Sequence, residues 1–156
     1  MKSILLAALA MGITISSAAL IRADDEAKEK AIKKDRKLYE GIWRIVSMTV
    51  DGKEVAEDDA KKITVVNAAD GGWTILVDGK EVSKGTSEID PSKKPKTIDV
   101  KTTEGGGAGQ TSLGIYEVEK DTRKVCLARP DGERPTEFAS MSGSGVILAK
   151  FKREKQ

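Results

Sequence analysis

Histidine is absent from this 156-residue chain, cysteine occurs once, and Trp, Tyr and Phe contribute two residues each. Without imidazole no Ser-His-Asp or Cys-His site can be assembled, and the usual zinc ligand sets are equally closed to a chain with one thiol. The lone Cys126 has no partner for an internal disulfide, so packing and sheet hydrogen bonds must carry stability. Flanked by Val125 and Leu127, it reads as a buried strand thiol. With six aromatics the core must be mostly aliphatic. A net charge sign is also missing. The chain has 27 basic and 25 acidic side chains, and two of the basic ones, Lys2 and Arg22, lie in a first segment that contains no acid. The remainder is balanced and interspersed, which gives no electrostatic footprint for nucleic acid.

The first segment is read as a secretory signal peptide over residues 1–23. Lys2 supplies the positive start, Ile4 to Ile15 is almost wholly apolar, and small residues lead to Ala23. An apolar core of about 12 residues is too short for a spanning helix of roughly 20, so no stable membrane insertion is expected after cleavage, and the product is expected to be periplasmic or secreted. Residues 24–40 are charged and rich in helix formers, with Ala27, Ala31, Ile32, Leu38 and Tyr39 roughly on one side, which predicts a short helix docked on the remaining domain, 41–156.

After Gly41 the apolar period changes to two. Eight runs follow: Ile42 to Val50, Lys62 to Asn67, Trp73 to Val77, Gly85 to Asp90, Thr97 to Thr102, Ser112 to Val118, Arg123 to Ala128 and Val146 to Arg153. The links are nearly all hairpin-length, which leaves no room for crossover helices and predicts antiparallel neighbours. Closure removes the exposed edges, so the expected architecture is an eight-stranded antiparallel up-and-down barrel, with a two-sheet β-sandwich as the alternative. The hexapeptide Val50-Asp51-Gly52-Lys53-Glu54-Val55 recurs as Val77 to Val82. Its flanks do not match, and Asp-Gly suits a two-residue hairpin turn, so two similar turns are expected.

Motifs for chemistry are few. Ser142-Gly143-Ser144-Gly145 lacks the glycine that opens a nucleophile elbow. Glu104 to Thr111 has Gln110 where a phosphate loop needs lysine, and a strand follows instead of a helix. Its glycines predict a hairpin tip at the barrel mouth. Arg129 to Phe138, with two prolines and alternating charges, predicts a rigid loop closing one barrel end, with anion capture by Arg129 or Arg134 as the sharper reading. No catalytic residue, metal ligand or cofactor is assigned, and no enzyme is expected.

Gly41-Ile42-Trp43 resembles the Gly-x-Trp that opens the first strand of lipocalins and their calycin relatives. The resemblance implies a closing Arg packed over the Trp, and Arg153, in Phe151-Lys152-Arg153, stands in that place. The chain further resembles a family of small exported lipocalin-like domain proteins of planctomycete bacteria, through Asp51-Gly52-Lys53, Lys96 to Val100, Leu113 to Tyr116, Val125 to Ala128 and Arg134 to Phe138. That family implies a fold and export but no activity. The expected function is an exported barrel-type binding protein for a small molecule. On the first strand Trp43 and Ile45 would face inward with Ser47 and Thr49 nearer the mouth, and Tyr116 and Arg134 would offer polar contacts. A solid barrel acting as an envelope interaction module or inhibitor through its loops is the alternative.

Overall fold

A computed structural model describes residues 17–155. Most of the signal segment, residues 1–16, therefore lies outside the described residues. The described residues form a long helix followed by a sheet that closes on itself. Helix α1 spans Ser17–Tyr39, starting before residue 24. The strands are β1 (Gly41–Val50), β2 (Lys53–Glu54), β3 (Ile63–Asn67), β4 (Gly72–Val77), β5 (Lys80–Asp90), β6 (Lys96–Gly105), β7 (Thr111–Val118), β8 (Thr122–Leu127) and β9 (Ile147–Arg153), with a one-turn helix α2 (Glu57–Ala60) before β3.

Every strand pairs antiparallel with its neighbour, and β1 pairs with β9 as well as β3, which closes the ring. Eight strands make the barrel; β2 is a two-residue addition to the end of β1. The architecture is thus the closed up-and-down barrel and not the sandwich. Closure leaves no long free edge, which a nine-stranded open sheet would expose to aggregation. Both Asp-Gly pairs turn with positive φ at the two central residues, 51° and 77° at Asp51 and Gly52 and 50° and 76° at Asp78 and Gly79. Such turns match the twist of the flanking strands. The first hairpin is abandoned after Glu54, whereas the second continues into the full length of β5. The strand expected from Gly85 therefore begins at Lys80.

Strand alternation places Trp43, Ile45, Ile98, Tyr116, Val125, Ala149 and Phe151 in one buried cluster. One residue breaks the pattern. A bulge between Ile45 and Ser47 in the β1–β9 ladder inserts Val46 and reverses the facing of all that follows. Met48 turns inward and packs on the core, and Ser47 is exposed on the outer face. The expectation that Ser47 faces the interior is therefore corrected: a bulged residue shifts the period of two by one.

The lower end of the barrel, where β1 starts and β9 ends, is covered by the last turns of α1. Up to Lys30 the described side chains of this helix are exposed; from Ala31 onward Ile32, Asp35, Leu38 and Tyr39 turn to the barrel. Arg36 reaches across to Ser87, donating from Nη1 to its Oγ at 3.0 Å and from Nη2 to its carbonyl. Asp35, 4% exposed, accepts from the Tyr116 hydroxyl and from Lys96 Nζ, both at 2.7 Å. A buried carboxylate held by two donors adds directional contacts that set the helix's position on the floor. Among the described residues no helix is long and apolar enough to cross a membrane.

Candidate binding cavity

The barrel is not filled. A cavity of about 300 Å³ runs between the strands from the floor, where it meets Tyr39, Asn67 and Arg123, up to Ile63, Val77, Leu127 and Ile147 at the opposite strand ends. Those four are the first or last residues of their strands and are half-buried, which marks the open end. Between floor and mouth the walls are Ile45, Met48, Val65, Ile75, Ile98, Val100 and Val125, with Trp73 on one side. The volume sits at the lower limit of small-molecule pockets, which are typically lined by apolar walls and a few placed polar groups. Trp73 spends its own N–H on the Thr86 carbonyl at 3.0 Å, so it offers the cavity an apolar ring.

The polar groups sit at the bottom. Arg123, 4% exposed, is stacked among three rings: its guanidinium carbon lies 4.1 Å from the Phe151 centroid, 4.5 Å from Tyr39 and 4.9 Å from Trp43. Nη1 donates to Asn67 Oδ1 at 2.5 Å, while the buried Nε has no partner. Among the described residues no carboxylate lies within ion-pair distance of it. Burial lowers the Arg123 pKa from its ordinary value; the Tyr39 hydroxyl works against this, and the positive charge of Arg153 works with it.

The floor itself is pinned by the two ends of the barrel. Trp43, fully buried, donates Nε1–H to the Tyr39 carbonyl at 2.8 Å. Arg153 lies over the indole, its guanidinium carbon 4.2 Å from the ring centroid. It donates Nε to Lys120 O and Nη1 to Glu40 O, each at 2.6 Å, and Nη2 to Leu38 O at 2.5 Å. Two of these carbonyls belong to the end of α1 and the residue beyond it, where a cation also favours the helix dipole. Gly41 makes room for this: its φ is +118°, and a Cβ there would stand 2.7 Å from Arg153 Nη1. Glycine is required on both counts.

The remaining residues singled out from sequence are placed elsewhere. Tyr116 is buried beneath α1 with its hydroxyl committed to Asp35, so it offers no free donor to the cavity. Its ring stands edge-on to Tyr39, with centroids 5.6 Å apart. Arg134 lies outside the barrel. Its Nη1 donates to the carbonyls of Ile98 at 3.1 Å and Gly114 at 2.8 Å, and its Nη2 to Asp99 at 2.7 Å.

The segment 129–146 that carries Arg134 contributes no residue to the cavity wall and runs as a strap over the outer face. It is not the closure of a barrel end that its prolines suggested. The reason is apolar surface. Ile115 and Cys126, paired across β7 and β8, face outward and are 1% and 0% exposed, which needs a cover; the Cys126 thiol meets the Ala139 carbonyl at 3.6 Å. The strap returns beside the first Asp-Gly turn, where Gly145 N donates to Asp51 Oδ1 at 2.8 Å.

Of the sequence-assigned residues the cavity thus includes Ile45; Trp43 and Arg153 brace its floor, and Ser47, Tyr116 and Arg134 are not brought to it. The sequence expectation gives Arg123 only as the start of a strand. Its signal was available: in Arg123-Lys124-Val125-Cys126-Leu127 the arginine shares the face of Val125 and Leu127. Among the described residues no group of three His, Cys, Asp or Glu side chains is placed to hold a metal ion.

Fold and cavity together define an eight-stranded calyx with one open end and a floor containing a cation. A scan against protein-family models, a search of the curated proteins and a search of the solved structures each return no match.

Proposed function

We propose that this chain is a barrel-type binding protein that carries a small, largely apolar molecule. The supporting observation is the cavity of about 300 Å³ walled by isoleucine and valine. Protein interiors are close-packed, and a void of this size forfeits dispersion contacts across its whole lining. A barrel with a purely structural task would gain by filling it with larger side chains. An occupant restores those contacts.

Export belongs to the same proposal, motivated by the charged start, short apolar core and small-residue end of residues 1–23. So does a relationship to the exported lipocalin-like family, supported by Gly41-Ile42-Trp43 and Arg153. No catalytic step is assigned. The loops give little support to a barrel acting through its surface, because the strap 129–146 spends Arg134 on the carbonyls of β6 and β7 and the Ala139 carbonyl on the Cys126 thiol of β8.

Native mass spectrometry of the protein from its own cell fraction, compared with the mass after denaturation, tests the reading. A mass excess of one small molecule that disappears on denaturation is expected. Bare protein from that source, with no uptake on exposure to the apolar extract of the same cells, contradicts it.

A further inference from the structure

Resting on the container reading, we propose that the ligand is an elongated apolar molecule ending in a single carboxylate, and that Arg123 at the calyx floor receives that carboxylate. Among the described residues no carboxylate compensates the charge of Arg123. Arg123 is 4% exposed; among the described residues its one hydrogen-bond partner is the neutral Asn67 amide, reached through Nη1, and its buried Nε–H has no acceptor. Buried charges in proteins are ordinarily paired, because desolvating a lone one is costly.

Three aromatic faces offset part of that cost. They cannot accept the in-plane N–H groups, however, and Arg153 adds a second positive charge nearby. The carboxylates around it are engaged elsewhere: Asp35 with Tyr116 and Lys96, Glu117 with Lys124, and Glu119 with the Thr122 hydroxyl. What the site lacks is an anion, and the planar fork of arginine suits a carboxylate.

The cavity fixes the rest of the ligand. It begins at Arg123 and leads up between Val65, Ile75 and Val100 to a half-buried rim at Ile63 and Val77. A molecule seated there presents its charge to the floor and its chain to the walls. A volume of about 300 Å³ admits one medium-length chain and excludes a diacyl lipid.

The test is calorimetric titration of the full purified protein at pH 8 with decanoate and with decanol, which differ in the head group alone. For the unaltered protein decanoate is expected to bind roughly 10- to 100-fold tighter, the range of one charge-assisted interaction. Arg123→Met is expected to reduce that preference to within about 3-fold while decanol binding persists. Arg123→Gln, which keeps a polar partner for Asn67 without the charge, serves the same purpose if the methionine variant does not fold. Equal binding of both probes by the unaltered protein, or a preference that survives in the variants, overturns the carboxylate inference and leaves the container reading standing. Binding of neither probe overturns both.

Discussion

Raising the pH from 10 to 11 is expected to lower the unfolding free energy, by up to about 1 kcal/mol for each of two tyrosines that ionise more readily in the unfolded chain than in the folded one. The chain has two tyrosines, and both are buried, Tyr39 as the last residue of α1 and Tyr116 on β7 beneath that helix. Burial raises both pKa values above 10. For Tyr116 the hydrogen bond to Asp35 and that carboxylate's charge push in the same direction, while for Tyr39 the cations Arg123 and Arg36 work against it. A proton held more tightly in the folded state means that the unfolded state binds fewer protons above pH 10. Stability is then complete below the unfolded value and falls as pH rises through it. Cys126, raised above 9.0 by burial, adds a loss of the same sign beginning one unit earlier.

The measurement is phenolate absorbance at 295 nm beside far-ultraviolet circular dichroism during an alkaline titration. Phenolate is expected to appear cooperatively, in step with loss of the barrel. Independent ionisation near pH 10 in a protein that keeps its dichroism would show that the two hydroxyls are not enclosed as described.

Trp43→Ala is expected to destabilise the protein by about 4 kcal/mol, a fall in Tm of roughly 15 °C. The side chain is fully buried and joins three parts of the molecule. Its N–H holds the last carbonyl of α1, and its ring is flanked by Arg153 from β9 and by Arg123 from β8. Alanine would leave a cavity and two guanidinium groups without a face to lie on. Trp43→Phe keeps a ring and is expected to cost clearly less. Thermal melts of the two variants followed by dichroism give the comparison, and equal losses would show that the ring contacts contribute little.

The parts of this architecture written locally in the chain were legible from it. The two Asp-Gly turns need φ > 0 at adjacent residues and announce themselves by composition. Alternation located all eight barrel strands, and Gly41-Ile42-Trp43 with Arg153 marked the seam where the barrel closes. What was not legible depends on partners distant in sequence. The bulge at Val46 is set by the β1–β9 register, and it sends Ser47 outward while nothing in Ile45-Val46-Ser47-Met48 departs from a regular strand. Arg134 looked free for an anion because the carbonyls of Ile98 and Gly114 that occupy it are displayed only once β6 and β7 pair. Tyr116 looked available because its acceptor, Asp35, lies on a helix 81 residues away. For Arg123 alternation gives the inward face, but arginine at a strand start is ordinarily solvated, and its burial follows from the rings that α1, β1 and β9 bring to it.

The central claim is that the barrel interior is an accessible apolar calyx, and isoleucine δ1-methyl NMR during a titration with decanol tests it most directly. Ile63, Ile75, Ile98 and Ile147 line the cavity, whereas Ile115 is buried on the outer wall and serves as the internal control. These four methyls, with that of Ile45 on the same wall, are expected to shift together and saturably while Ile115 stays in place. Shifts confined to Ile115 and other outer methyls, or no shift at any probe concentration, would contradict it.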